Sequence, residues 1–433
     1  MHLFDNIYEG YAYSYPHKHS YRKLEPVPLQ SLWEQEKKDA LFLYVHLPFC
    51  EMRCGFCNLF TIANPQGNMV DAYLKTLELE AKTLKEIINP VSFGQMAVGG
   101  GTPTFLDVKQ LDKLFTIIKN FGADPSITPV SFEMSPKTIT GEKLQFLAAQ
   151  GVDRVSMGVQ SFLESELKSL GRPQKNKEVY EAIEKIKKTG FETLNLDLIY
   201  GSYGQTLESW TFSVQEVINY KVEEVFIYPL YVRALTGITK LAQAAADNRF
   251  QLYQEAKQML LAAGYEQISM RMFRLKKEQY KKPPVQYACQ EDGMTGIGAG
   301  ARSYTKALHY SSEYAVVRGN IKSIIEKYIG KNEDDFRHVD YGISLTTEEQ
   351  KRRFLIKSLL HNTGLNTEKY RQLYGTGVMD DYAQLQQLID NDLAVLRDGI
   401  LFLTSAGIDY SDAIGPWFYS EPIRDRIHNF ELQ

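Results

Sequence analysis

LYVHLPFCEMRCGFCNLF, residues Leu43 to Phe60, carries Cys50, Cys54 and Cys57, three of the only four cysteines in the 433-residue chain. An apolar run of strand character feeds directly into a turn built on C-x3-C-x2-C. Three thiols packed this closely in an almost cysteine-free chain point to a bound soft metal, zinc or iron–sulfur. A structural zinc site asks for four protein ligands, usually as two separated pairs, and no second pair is present. A [4Fe–4S] cluster takes four thiolates when fully ligated, so three would leave one iron open to a small molecule. A disulfide framework is excluded because the clustered cysteines are odd in number and the rest of the chain offers no framework. Zinc and plain packing thiols remain the alternatives at this point.

Outward from that loop, strand-length apolar runs recur at Leu41–Leu47, Gln95–Val98, Pro129–Met134, Arg154–Val159, Thr193–Tyr200 and Glu224–Leu230. Between them lie amphipathic stretches with apolar residues at i, i+3 and i+4, at Val70–Ile88, Val108–Lys119, Lys143–Ala149, Lys177–Lys188 and Leu207–Asn219. Six successive βα units predict a parallel sheet with right-handed crossovers. Six are too few to close an eight-stranded barrel. The expected fold is therefore α/β, an open partial (β/α)6 barrel whose ligands sit at the carboxyl ends of the strands.

The polar residues that could do chemistry fall at those ends. Gly99-Gly100-Gly101-Thr102-Pro103 lies between a strand and a helix, where glycines let the backbone approach a ligand and present N–H groups. Glu133 ends the next strand and suits an ammonium or a ribose. Gln160 and Asp197 end later strands, and Arg172 follows in a loop. An acid suits ribose hydroxyls, and a guanidinium suits a carboxylate. The stretch Gly296 to Tyr304, GIGAGARSY, does not open a βα unit with a later acid, so a dinucleotide fold is not expected. Cys289 reads as a small buried hydrophobe, or else as a thiol acting near the substrate.

The remaining segments divide the chain. Residues 1–40 form an arm rich in Tyr11, Tyr13, Tyr15, His17, His19 and Tyr21, which packs across the barrel or acts as a lid. Residues 41–340 hold the barrel and an extension, with a helix within Leu235–Ala263, a strand pair at Glu266–Phe273 and a basic loop at Lys276–Pro284. Residues 345–433 form a small α+β domain. A Thr346–Glu349 cap starts the helix Thr346–Leu360. Asn366–Tyr374, Val378–Asp390 and the hairpin Ala394–Arg397/Gly399–Leu403 follow, a winged-helix shape.

A net charge of −4 supplies no basic field for nucleic acid, and no recognition helix is visible. Four cysteines suit a reducing compartment. No signal peptide and no membrane-length apolar run is seen, so a cytoplasmic protein is expected, by default a monomer.

The cysteine spacing, with Phe56 before the last cysteine, resembles the radical S-adenosylmethionine (SAM) superfamily. Tyr44-Val45-His46-Leu47-Pro48-Phe49-Cys50 narrows the likeness to the oxygen-independent coproporphyrinogen III oxidase-like (HemN-like) family, with its heme chaperones and radical methyltransferases. The resemblance implies a [4Fe–4S] cluster on Cys50, Cys54 and Cys57, and a HemN-like C-terminal domain. It implies a first SAM near Tyr44, Gly100, Gly101, Thr102 and Glu133, with the Gly296–Tyr304 stretch and Arg302 close by. It further implies a second SAM near Phe56, Gly101, Thr102, Gln160, Arg172 and Asp197, and it adds Pro229 to the cofactor contacts. A flavodoxin or ferredoxin is the implied electron donor. The family's oxidase tends to carry another cysteine two positions after the last cluster cysteine, and its heme chaperones an Asp where Asn58 stands. The Cys57-Asn58-Leu59-Phe60 ending therefore leans toward radical methylation of an aromatic or unsaturated metabolite. Porphyrinogen decarboxylation and heme delivery remain the alternatives.

Overall fold

The computed structural model describes residues 4–90, 92–232, 235–240, 247–277 and 293–431. The expected thiol Cys289 lies outside these residues, as does most of the Lys276–Pro284 loop. The chain begins with β1 (Arg22–Pro28), α1 (Leu29–Glu34), β2 (Leu41–Leu47) and two short bridging strands, β3 (Phe49–Cys50) and β4 (Ile62–Ala63). The βα units follow as α2 (Met69–Ile88), β5 (Phe93–Gly100), α3 (Val108–Phe121), β6 (Val130–Met134) and α4 (Gly141–Ala149). They continue through β7 (Arg154–Gln160), α5 (Glu164–Ser169), α6 (Asn176–Thr189), β8 (Thr193–Tyr200), α7 (Leu207–Asn219) and β9 (Glu224–Pro229). The extension holds α8 (Arg249–Ala262), β10 (Tyr265–Gln267), β11 (Met272–Leu275), β12 (Met294–Ile297), β13 (Arg302–Tyr304), β14 (Leu308–Ser311) and β15 (His338–Ser344).

Among the described residues these strands make one 13-stranded open sheet, in the order β1-β15-β14-β13-β12-β2-β5-β6-β7-β8-β9-β11-β10. The six expected strands are its parallel centre, each beside its successor. Alternation explains the strands: Leu41, Leu43 and Val45 of β2 are fully buried, and the residues between them are less so. The helices bury one stripe each; α2 buries Tyr73, Leu74, Leu77, Ala81 and Leu84. α3 opens on a capping box between Asp107 and Gln110 and stops at Gly122, whose φ of 111° is left-handed.

Two features depart from the sequence reading. A seventh parallel strand, β12, lies beside β2 and carries Gly296, the first glycine of the GIGAGARSY stretch. The arm is more than an extended strap: β1 pairs antiparallel with β15 at the sheet edge. The helix expected within Leu235–Ala263 forms as α8, and the expected strand pair forms as β10 and β11.

The C-terminal domain has its own core. The helix Thr347–Leu359 is capped by Thr346, whose hydroxyl accepts from the Glu349 N–H at 3.3 Å. A three-stranded wing joins β16 (Leu365–Asn366), β17 (Ala394–Arg397) and β18 (Ile400–Leu403). The expected helix Val378–Asp390 is broken into Val378–Asp381 and Leu385–Asp390. Tyr15 and Tyr21 of the arm are buried in this second core, beside Phe354, Tyr370 and Phe418. Arg271 and Asp412, almost wholly buried, tie barrel to C-terminal domain through a two-pronged ion pair, and the Tyr231 hydroxyl donates to Asp412 at 2.6 Å. No helix among the described residues is long and apolar enough to cross a membrane.

Candidate active site

Parallel register lines up the strand ends. Leu47 lies beside Gly100, Glu133 beside Ser156, and Gly158 beside Asp197. The loop after β2 therefore faces the glycine turn after β5, and the acids after β6 and β8 face the same space. Cys50, Cys54, Cys57, Phe56, Gly100, Gly101, Thr102, Glu133, Gln160, Arg172 and Asp197 all line one open cleft with about 890 Å³ of free space. Sequence reasoning named these residues one at a time, and the fold brings them together.

The glycine turn is the strap of the cysteine loop. Gly101 N–H donates to the Leu47 carbonyl and Thr102 N–H to the Phe49 carbonyl, both at 2.8 Å. A Cβ on Gly101 would lie 2.5 Å from the Phe49 oxygen and 3.0 Å from the Cys50 sulfur. Gly100 has φ of 111°, and its N–H donates to Glu133 Oε2 at 3.0 Å. Glycine is required here both for the backbone angle and for the close approach.

The sulfurs have polar neighbours. Thr102 Oγ1 stands 3.6 Å from Cys50 Sγ, and Arg172 Nη1 donates to Cys54 Sγ at 3.2 Å. Burial pushes the Cys50 thiol up to about 12 and raises that of Cys57, so a bound metal must displace those protons. Among the described residues no three His, Cys, Asp or Glu side chains meet closely enough to hold a single ion. The thiols are instead spread around one cleft. An all-sulfur donor set of that breadth, with a guanidinium aimed at one sulfur, fits an iron–sulfur cluster.

Glu133 is open to the cleft yet deep within protein. The depth decides its chemistry, because it pushes the carboxyl up to about 7 despite the bond from Gly100. Asp197 is pushed up to about 6 by the same cause, opposed by the Asn195 amide at 2.8 Å. That amide also donates to Ser156 Oγ at 2.8 Å, which makes Ser156 and Asn195 part of the distal end. The i, i+2 spacing of Asn195 and Asp197 puts both on one strand face, a signal that the sequence reading passed over. Gln160 follows a bulge and has φ of 69°, a conformation uncommon outside glycine. Arg172 spends its guanidinium on Cys54, on the Gly158 carbonyl at 2.7 Å and on Gln174 at 2.8 Å.

Tyr44 and Arg302 line a second cavity of about 670 Å³, which shares Leu59, Gly100 and Glu133 with the cysteine cleft. Tyr44 hydrogen-bonds His46 Nδ1 at 3.2 Å, and His46 Nε2 contacts the Phe60 carbonyl at 3.0 Å. Pro229 closes β9, buried, and lines neither space.

An open, mixed sheet with a parallel centre and three thiols at its carboxyl mouth suits a radical SAM domain, and residues 44–216 match the radical SAM superfamily. Residues 345–410 match the HemN C-terminal domain. The chain thus combines a radical SAM domain with a HemN C-terminal domain. It is 29% identical over 378 residues to heme chaperone HemW of Bacillus subtilis (strain 168), across 84% of this chain and 95% of that protein. It is 27% identical over 433 residues to oxygen-independent coproporphyrinogen III oxidase of Salmonella typhimurium, across 93% and 90%. The solved structure of coproporphyrinogen III oxidase (HemN) from Escherichia coli, 24% identical, shares the fold with a TM-score of 0.77 over 90% of this chain and 92% of that one. The family implies SAM and a [4Fe–4S] cluster as cofactors.

Proposed function

We propose that this protein is a radical SAM enzyme that acts on a ring-bearing small molecule, with Cys50, Cys54 and Cys57 as the three protein ligands of its cluster. The observation that carries this reading is the single cleft shared by those thiols, the glycine strap and Glu133. When bound, the cluster and SAM supply a one-electron cleavage to a 5′-deoxyadenosyl radical, which takes a hydrogen atom from substrate. The chain's own residues bind and orient. Glu133 accepts an ammonium or ribose proton, Gly100 to Thr102 keep the backbone close, and Tyr44 and Phe56 wall the cofactor. Arg172 holds a cluster thiolate. The electron comes from a flavodoxin or ferredoxin.

The test is anaerobic. Reconstituted protein given SAM and dithionite should release 5′-deoxyadenosine, and single Cys→Ala variants at the three ligands should lose both iron and product. Wild-type protein that binds zinc instead, or yields no 5′-deoxyadenosine, ends the proposal. The first substrate to try is coproporphyrinogen III, given the relatives, with loss of CO2 read by mass.

A second reading, radical methylation with a second SAM, is favoured by the distal polar set Ser156, Gln160 and Asp197 in the same cleft. S-adenosylhomocysteine formed in step with 5′-deoxyadenosine would support it. An Asp197→Ala variant that keeps full affinity for both SAM molecules would remove it.

A further inference from the structure

We propose that Arg302 is a carboxylate anchor for the substrate, placed in the second cavity beside the cysteine cleft. The proposal rests on the radical SAM reading of that neighbouring cleft, which makes anything lodged here adjacent to the reacting centre. A guanidinium removed from water is costly unless an anion meets it. Two other guanidinium groups of the barrel do meet one: Arg271 takes Asp412, and Arg154 takes Glu224 at 2.8 Å. Arg302 sits at the start of β13, half-buried, and the one hydrogen bond of its guanidinium among the described residues goes to the Tyr13 hydroxyl at 3.3 Å. The guanidinium stands 5.0 Å from the Tyr13 ring and 6.0 Å from the Tyr304 ring. The groups that bear on its charge are the hydroxyls of Tyr13, Tyr21, Tyr44 and Tyr304. Glu133 and Glu313 line the same cavity, but among the described residues no carboxylate comes within ion-pair distance of Arg302.

The walls say what the carboxylate is attached to. Tyr44, His46, Phe60, Tyr314 and Tyr341 line the cavity, so five of its fourteen lining residues present rings. Lys18 stands over the Tyr314 ring at 3.6 Å and adds positive charge. A flat, unsaturated body bearing a carboxylate matches a space with several rings and a half-buried guanidinium. Glu133 and Gly100, common to both spaces, set such a body next to a ligand held at the thiols.

The test measures binding without turnover. Two acid/neutral pairs serve as probes: coproporphyrin III against its tetramethyl ester by fluorescence, and indole-3-acetate against indole by calorimetry. Wild-type protein should prefer at least one acid over its neutral partner. Arg302→Gln should weaken that acid by about tenfold to a hundredfold, the worth of a charge-assisted hydrogen bond, and leave the neutral partner unchanged. Arg302→Lys should recover part of the loss. SAM affinity and iron content should match wild type in both variants. Three outcomes overturn the assignment: neither acid preferred by wild type, unchanged acid affinity in Arg302→Gln, or a loss confined to SAM, which would give Arg302 to the cofactor's own carboxylate. Absence of 5′-deoxyadenosine would defeat the proposed function while leaving these binding results intact.

Discussion

Arg172 donates from Nη1 to the Cys54 sulfur at 3.2 Å while its Nη2 holds the Gly158 carbonyl at 2.7 Å. One guanidinium thus links the cysteine loop to the end of β7.

A cation and donor beside a cluster sulfur stabilises the more electron-rich, reduced state. Arg172→Met should therefore shift the cluster's reduction potential to a more negative value with iron content retained. A redox titration followed by electron paramagnetic resonance reads the shift. A potential equal to that of wild type would show that the contact does not tune the metal.

Gly101 has no room for a methyl group. The nearest obstacles are backbone atoms of Phe49 and the Cys50 sulfur, so relief requires the strap and the loop to part. Gly101→Ala should cost about 1–3 kcal/mol in denaturant titrations and cut iron incorporation sharply. Full iron loading in this variant would mean that the strap is not what positions Cys50.

Glu133 is raised to about 7 from 4.5 and Asp197 to about 6 from 3.8, chiefly by burial. The folded chain holds these protons at pH values where the unfolded chain releases them. Stability from this source is full below about pH 4 and is lost as pH rises through 6 and 7. Glu133→Gln should match wild type near pH 4.5 and exceed it in stability at pH 8. Wild-type SAM affinity should rise with pH up to about 7, and the variant should lose that rise. A variant less stable than wild type at pH 8 would contradict the burial account.

Asp412 neutralises Arg271, and the Tyr11 ring lies 3.7 Å from the same guanidinium. Removing the acid strands a buried cation. Asp412→Ala should cost about 3–5 kcal/mol, while a paired replacement of both residues by apolar ones should cost far less. Thermal denaturation of the two variants separates the cases.

The parallel centre of the sheet was legible because each of its units is local. A strand, a turn and an amphipathic helix declare themselves within a few dozen residues, and β2, β8 and α7 fall on the expected residues. The site was legible in its members, because strand ends in such a sheet converge. What escaped was long-range. β12 finds β2, and β1 finds β15, across some three hundred residues, and short strands with glycine carry little signal of their own. Arg172 looked like a ligand for a cofactor carboxylate. Its bond to Cys54 joins residues 118 apart, and no spacing rule reports that. The second cavity was invisible for the same reason, since its wall draws on the arm, β2 and the hairpin after β12.

The arm's placement also has a consequence for biosynthesis. Tyr15 hydrogen-bonds Glu349 and Ser420, partners 334 and 405 residues later in the chain, and β1 needs β15. A ribosome delivers the arm first and its docking sites last. The βα units can therefore assemble, and their thiols can meet an iron donor, before the arm has anywhere to settle. Order of emergence delays docking of the N-terminal segment until translation ends.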